Sequence, residues 1–394
     1  MGTKLKVVRV ITASYVVPWH LNNTLRRMPA DFEVCVVGDS VSKYKDAYPN
    51  VKFVDININR KTSLIADGLA MIALCRFLLA YKPDIVHSIM PKAGLLAALS
   101  GFICRIPIRI HTFTGQTWVA REGLSRHFYY MMDKLINGIN TICLTDSPSQ
   151  SDFLLEHKIS HLGRPLSVLS KGSLSGVDVA RFNVSELAGE ASALRSNMMI
   201  YKNNFVFSFI ARKTREKGSI DVLTAFALLS KKFSAARLLF VGPDEDGDIE
   251  LLRESNPELF FNVIEVGHVA NHEVYLAITD VLCLPSYREG FGSIVIDAAA
   301  MGVPTIGSRI PGLIDSVSDQ QTGVLFRAGN IDEIVEVMQR FIENPDMCKA
   351  MGTAAKARVD DFFSADRLYI ALKELYLDCA KSNSAICDKS GNFK

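Results

Sequence analysis

Apolar and polar positions along the chain follow two alternating periods. Short runs rich in β-branched and aromatic residues, bounded by Gly, Pro, Asp or Asn, predict strands at 6–12 (KVVRVIT), 32–38, 51–56, 84–89 (DIVHSI), 108–113 (IRIHTF), 141–146 and 166–171. Longer segments between them, such as 63–82 and 92–104, read as helices. From 172 to 197 the chain is rich in Gly, Ser and Ala and shows no strand period, which predicts a connection. The alternation then resumes with strands at 205–211, 236–242, 263–267, 280–286, 303–308 and 323–326. A last helical run, 364–382, precedes a polar tail.

Strands that alternate with helices from end to end predict parallel sheets wrapped by helices. The expected class is α/β, with two doubly wound, Rossmann-like domains facing each other across a cleft. The boundaries read as a first domain over 1–175, a connection over 176–200, a second domain over 201–363, a helix over 364–382 crossing back to the first domain, and a disordered tail over 383–394. In such sheets ligands bind beyond the carboxyl ends of the strands, so the loops that follow strands are where chemistry is expected.

A length of 394 residues, 48% of them apolar and 22% charged, suits two globular domains and excludes a disordered chain. No apolar run approaches the roughly 18 residues of a membrane span. The stretch 7–19 contains Arg9, lacks a small-residue cleavage site and reads as a first strand rather than a signal peptide. Eight cysteines (Cys35, Cys75, Cys104, Cys143, Cys283, Cys348, Cys379, Cys387) are scattered singly, as expected of free thiols in a reducing cytosol. Residues 1–160 hold 19 Lys or Arg against 12 Asp or Glu, while the remainder holds 25 against 30. That basic front half points to an anionic surface, lipid or phosphorylated substrate, or else to a solvated basic face.

The densest chemistry lies in 285–304, PSYREGFGSIVIDAAAMGVP. It reads as a strand end, a loop and a helix. Gly290 and Gly292 let backbone approach a ligand, and the free N–H groups at the helix start suit a phosphate or diphosphate. Glu289 beside an anion site is costly unless it meets uncharged hydroxyls, and a sugar diphosphate carries both kinds of group. Asp297, eight residues on, reaches a second set of hydroxyls such as those of a ribose; the alternatives are a helix cap for Glu289 and a surface position for Asp297. After the strand 205–211, Arg212 and Lys217 are spaced to clamp a diphosphate. His268 is placed to line a nucleotide base pocket through its backbone. The pairs His157/His161 and His268/His272 have helical spacing but no third ligand, so no metal site is expected. Neither G-x-G-x-x-G after the first strand nor a P-loop occurs, which disfavours a dinucleotide oxidoreductase or a P-loop NTPase.

The Arg212, Lys217 and Gly218 spacing, the PSYREGFG loop, the later TGVL segment, and DIVHSIMPKAGLLAAL, IPIRIHTFTG and GVDVARF together resemble the family 4 retaining nucleotide-sugar glycosyltransferases, over essentially the whole chain. The resemblance implies the GT-B architecture, with acceptor binding in the first domain and nucleotide-sugar binding in the second. It implies that Arg212 and Lys217 hold the donor diphosphate, that Glu289 contacts donor-sugar hydroxyls, that the Gly290 to Ser293 backbone, including Phe291 and Gly292, approaches the phosphates and sugar, and that Asp297 stands at the ribose position, where the family usually has Glu. His111 matches a histidine that faces the transferred sugar, although the family's second histidine is replaced by Thr114. The family's glycine pair after the first strand is absent from ASYVVPWHLNN.

The function the resemblance implies is transfer of a hexose or N-acetylhexosamine, carried on UDP, to a polyprenyl-diphosphate-linked glycan in surface-polysaccharide or O-antigen assembly. It needs no cofactor or metal and no nucleic acid. The enzyme is expected in the cytoplasm, peripheral at the inner membrane face, where the apolar Leu95, Leu96 and Leu99 belong either to the core or to that face. Rival readings are a nucleotide-sugar 2-epimerase of the same architecture and a non-catalytic nucleotide-sugar-binding protein.

Overall fold

The fold is taken from a computed structural model that describes residues 4–58, 63–160 and 163–390. His161 lies outside them. The chain divides into two compact units, a front unit of Met1–Gly176 with Ala365–Lys394 and a rear unit of Val177–Ser364.

The front unit holds one parallel sheet of seven strands: β1 Leu5–Ala13, β2 Phe32–Asp39, β3 Val51–Asp55, β4 Ile85–Ile89, β5 Ile108–Phe113, β6 Ile142–Thr145 and β7 Ser167–Val168, in the order β3-β2-β1-β4-β5-β6-β7. The last expected strand shrinks to two residues because Ser170 turns left-handed (φ 53°) and leaves the ladder. The sheet is covered on both faces, which β1 shows by alternation. Val7 and Ile11 pack with Leu21, Leu25, Leu372 and Tyr376 on one side; Val8 and Val10 pack with Ala70, Leu74, Leu78 and Leu96 on the other.

The rear unit repeats the plan with six parallel strands: β8 Phe205–Ile210, β9 Ala236–Val241, β10 Val263–Val266, β11 Val281–Leu284, β12 Thr305–Ser308 and β13 Gly323–Phe326, in the order β10-β9-β8-β11-β12-β13. Phe207, Phe209 and Phe240 fill one face; Val206, Leu239 and Leu284 fill the other.

Three expectations need correction. The connection expected over 176–200 is largely helical: it contains the helix Val184–Asn197, whose Leu187, Ala191 and Leu194, at helical spacing, pack into the rear core. The last helix, Ala365–Ser390, runs past the expected end at 382, since no Gly or Pro interrupts it before Gly391. Third, the helix Leu64–Tyr81, capped by the Ser63 side chain, is long and apolar enough to cross a membrane, with a mean hydropathy of 1.8. Asp67 and Arg76 break the uninterrupted run but hardly lower the average. Only one stripe of this helix, Ala70, Leu74 and Leu78, is buried; Ile65, Leu69, Ile72 and Leu79, on the outer face, are 80%, 63%, 50% and 59% exposed. Leu96 is core, and the exposed apolar residues of the next helix, Pro91–Ile103, are instead Phe102 and Ile103 at its end. The seven described cysteines are free thiols, and burial pushes that of Cys35 up to about 12.

The final helix is fixed to the sheet by polar groups as well as by packing. The buried Tyr376 hydroxyl meets His87 Nδ1 at 2.7 Å and accepts from Arg9 Nη1 at 3.5 Å, while His87 Nε2 meets Thr112 Oγ1 at 2.8 Å. Burial, then the neighbouring Arg9 charge, hold His87 well below its usual pKa, so it is a neutral ring with both nitrogens satisfied. Tyr376→Phe is expected to cost about 1–3 kcal/mol in urea unfolding, the penalty of orphaning a buried nitrogen; an unchanged midpoint would show that His87 finds another partner.

Candidate functional site

In the rear sheet the strand order reverses between β8 and β11, and a parallel α/β sheet offers its ligand crevice at that reversal, beyond the carboxyl ends. The loops there are 211–218 and 285–292, the same two that carry the candidate residues. They are joined backbone to backbone. Gly218 is left-handed (φ 72°), and a Cβ placed on it would lie 2.1 Å from the Pro285 carbonyl oxygen. Tyr287 N–H donates to the Glu216 carbonyl at 2.9 Å, and the Tyr287 hydroxyl donates to Asp221 Oδ2 at 2.7 Å. Arg288 Nη2 donates to both Glu216 carboxylate oxygens, each at 2.9 Å.

This junction brings Lys217 and Glu289 together, with Nζ 2.6 Å from Oε1 and side chains only 16% and 11% exposed. Ser286 Oγ donates to the same oxygen at 2.9 Å. Arg212 is held differently, by Glu245 at 2.8 Å, from the loop after β9. Between the two expected cations, Lys213 points inward, buried, pairing with Glu265 at 3.0 Å and lying 4.8 Å over the Phe240 ring; burial lowers its pKa.

Beyond Glu289, Gly290 is packed so closely that a Cβ on Gly312 would lie 2.5 Å from its carbonyl oxygen. Phe291 buries its ring against Phe363 at 5.3 Å and anchors the loop. Gly292 (φ 78°) then starts the helix Ser293–Ala300, whose first turn has no side-chain cap. The positive end of a helix, a lysine and a loop arginine are the groups that stabilise a diphosphate, and a carboxylate among them suits hydroxyls.

Asp297, on that helix, receives His272 Nε2 at 3.1 Å. His272 also lies against Phe182, at 5.5 Å between centroids, and its neighbour Glu273 pairs with Arg181 at 2.6 Å. His268, by contrast, is exposed on the loop after β10 and shows no side-chain hydrogen bond to these residues. Sequence reasoning therefore did not foresee the His272–Asp297 pair and passed over Glu245. Glu245 had a signal, the acidic PDEDGD directly after a strand end. His272 had none, because its pairing depends on how two helices pack.

His111 lies in the front unit at the carboxyl half of β5, fully buried. Nδ1 meets Ser88 Oγ at 2.9 Å and the ring packs edge-on to Phe113 at 4.6 Å; Nε2 has no hydrogen-bond partner. Gly94 makes room for it, since a Cβ there would lie 2.4 Å from His111 Cε1. Burial pushes its pKa down to about 3, so the ring is neutral. Among the described residues no three His, Cys, Asp or Glu side chains converge as a metal site would require.

Residues 192–358 match the family described as glycosyl transferases group 1. The capsular polysaccharide biosynthesis glycosyltransferase CapM of Staphylococcus aureus is 27% identical, over 94% of this chain and 96% of its own length. An Escherichia coli enzyme named UDP-Gal:alpha-D-GlcNAc-diphosphoundecaprenol alpha-1,3-galactosyltransferase is 22% identical over 88% of each chain. Among solved structures, Anabaena HepE in complex with UDP superposes with a TM-score of 0.77 at 16% identity, covering 95% of this chain and 100% of its own. Sucrose-phosphate synthase from Thermosynechococcus elongatus superposes at 0.80 with 18% identity, covering 96% and 100%. At these identities the superpositions show a shared fold.

Two glycines with the same φ of 72° separate backbone strain from collision. Gly247 has nothing within 4 Å of a would-be Cβ, whereas Gly218 meets Pro285. Gly247→Ala is expected to cost about 1–2 kcal/mol, the left-handed penalty alone. Gly218→Ala should cost a further ~1–3 kcal/mol for overpacking. Equal losses in chemical denaturation would mean that the two loops yield readily.

Proposed function

We propose that this chain, a glycosyltransferase of GT-B fold with a group 1 domain over residues 192–358, is a retaining family 4 enzyme that transfers a hexose or N-acetylhexosamine from a UDP-sugar to a polyprenyl-diphosphate-linked glycan. The observation that carries this reading is the Lys217–Glu289 contact at the β8/β11 reversal, where a cation, a carboxylate and a helix start meet. Arg212, Lys217 and the first turn of the 293–300 helix hold the diphosphate, and Glu289 takes donor-sugar hydroxyls. The Asp297–His272 pair takes the ribose hydroxyls and makes up for the shorter acid, and His268 borders the base.

The chemistry follows from those places. The bond between the anomeric carbon and the diphosphate oxygen breaks while the acceptor oxygen bonds the same face of that carbon. The acceptor proton passes to the departing phosphate, so neither a protein nucleophile nor a metal takes part. Charge grows on the leaving oxygens, and fixed cations with helix N–H groups stabilise it most in the transition state. His111, neutral and buried, acts as a positioning residue that sets the β5 end rather than as a proton carrier. The names of the two similar enzymes, one for capsular polysaccharide and one for a diphosphoundecaprenol-linked sugar, support a lipid-linked acceptor for this chain.

The exposed apolar stripe Ile65, Leu69, Ile72 and Leu79, in a unit with excess positive charge, supports peripheral attachment at the inner face of the cytoplasmic membrane. Replacing Leu69 and Ile72 by Glu together is expected to abolish cosedimentation with phosphatidylglycerol vesicles while UDP still raises Tm. Unchanged cosedimentation would remove this stripe from the membrane face.

Among UDP-, GDP- and ADP-sugars, a UDP-sugar should raise Tm and be slowly hydrolysed without acceptor. An altered donor with no free sugar would instead identify an epimerase, and stabilisation with neither product a binding protein. Glu289→Gln should lower turnover by at least ~100-fold with UDP affinity nearly kept, and Lys217→Ala should weaken UDP binding by about 2–5 kcal/mol. Normal turnover in the first, or parental affinity in the second, would refute the assigned role.

A further inference from the structure

The front sheet has its own strand reversal, between β1 and β4, and hence its own crevice beyond the carboxyl ends. Two unusual backbone features border it. After β1 the chain forms a π-helix, Val17–Leu21, a form that is rare and concentrated at functional sites. After β4, Met90 adopts φ 74° and ψ 147°, a strained conformation for a residue with a Cβ, immediately before the helix Pro91–Ile103. The Ala93 N–H donates to Thr12 Oγ1 at 3.3 Å, tying the end of β1 to the start of that helix.

The π-helical loop is anchored by Val16, Val17 and Leu21, all buried, yet leaves Trp19 43% exposed. Trp19 is braced by its neighbour: its ring lies 4.7 Å from that of Tyr15, and its backbone N–H donates to the Tyr15 carbonyl at 3.4 Å. Leaving so large an aromatic ring in water forgoes burial energy, and a well-anchored π-helical loop presents it. The sequence narrows what it meets. Between Arg9 and Arg26 there is no Lys, Arg, Asp or Glu, and no glycine, so the loop offers a phosphate neither charge nor a closely approaching backbone. A pyranose presents a face of C–H groups, apolar and slightly positive, which complements the negative face of an indole.

We infer that Trp19, braced by Tyr15, is the stacking platform for a pyranose ring of the acceptor glycan at the β1/β4 reversal of the front unit. The inference rests on the reading of this chain as an enzyme that extends a glycan, and it adds the residue that recognises the acceptor's sugar.

The chain has two tryptophans, and Trp118 is only 1% exposed, so acrylamide quenching of the natural full-length protein reports chiefly on Trp19. Titration with the methyl glycosides of glucose, galactose, N-acetylglucosamine and N-acetylgalactosamine, without any nucleotide, should protect this emission saturably with at least one of them. In transfer assays Trp19→Ala should raise acceptor KM at least ~10-fold with UDP-induced Tm shift unchanged, and Trp19→Phe should restore most of the loss. Protection by phosphatidylglycerol vesicles but by none of the glycosides would overturn the inference and make Trp19 a membrane anchor. No protection by any probe, or a parental KM in Trp19→Ala, would overturn it as well. Failure of the donor reading is separately visible, as absence of a UDP-induced Tm shift in the parent protein.

Discussion

The candidate site depends on one close approach of two backbones. Two loops from strands that are adjacent in the sheet but about seventy residues apart in the chain must touch, and side chains between them would hold them off. Gly218 removes the obstacle: its left-handed turn lets the 211–218 loop settle against the Pro285 carbonyl. Glu216, two residues earlier, then reaches Tyr287 with its carbonyl and Arg288 with its carboxylate. With the loops at that separation, Lys217 and Glu289 are within contact distance, and neither needs to be stretched to get there.

Charge follows from the same geometry. Every candidate cation in the rear unit is held by a carboxylate from a different strand end: Lys217 by Glu289, Arg212 by Glu245, Lys213 by Glu265. Such pairing offsets the desolvation of partly buried charges and fixes side chains that would otherwise lose several rotamers when they engage a ligand. It also sorts the three. Lys213 is closed off beneath the loop and belongs to the frame, while Arg212 and Lys217 stay partly open at the carboxyl end.

The front unit is built on the same sheet logic with another polarity. Its two buried sheet histidines are neutral, His87 and His111 both being kept in the uncharged form by burial. The loop after β1 at its reversal carries the aromatic and apolar Tyr15, Val16, Val17 and Trp19, where the rear reversal carries ions. The two units therefore differ most in the chemistry of corresponding loops, and that difference suits a donor rich in phosphate and an acceptor rich in C–H surface.

Periodicity alone made the thirteen described strands legible, because residues buried on both faces of a parallel sheet are mostly apolar whatever lies beside them. The loops that bear Arg212, Lys217 and the Glu289 to Ser293 segment were legible for a related reason: Gly and charge directly after a buried strand have few structural uses. Local pattern could not tell an apolar helix that is buried from one that is not, and only packing showed that the 64–81 helix buries a single stripe. Nor could it show that His272 reaches Asp297, that Glu245 holds Arg212, or that His111 is buried beneath Gly94. The sequence by itself determined the elements, their order and the strand ends at which chemistry gathers, since these depend on residues near in the chain. Tertiary structure alone decided the partners, because a pair distant in sequence is set by strand order and by the clearance between backbones, which no local period encodes.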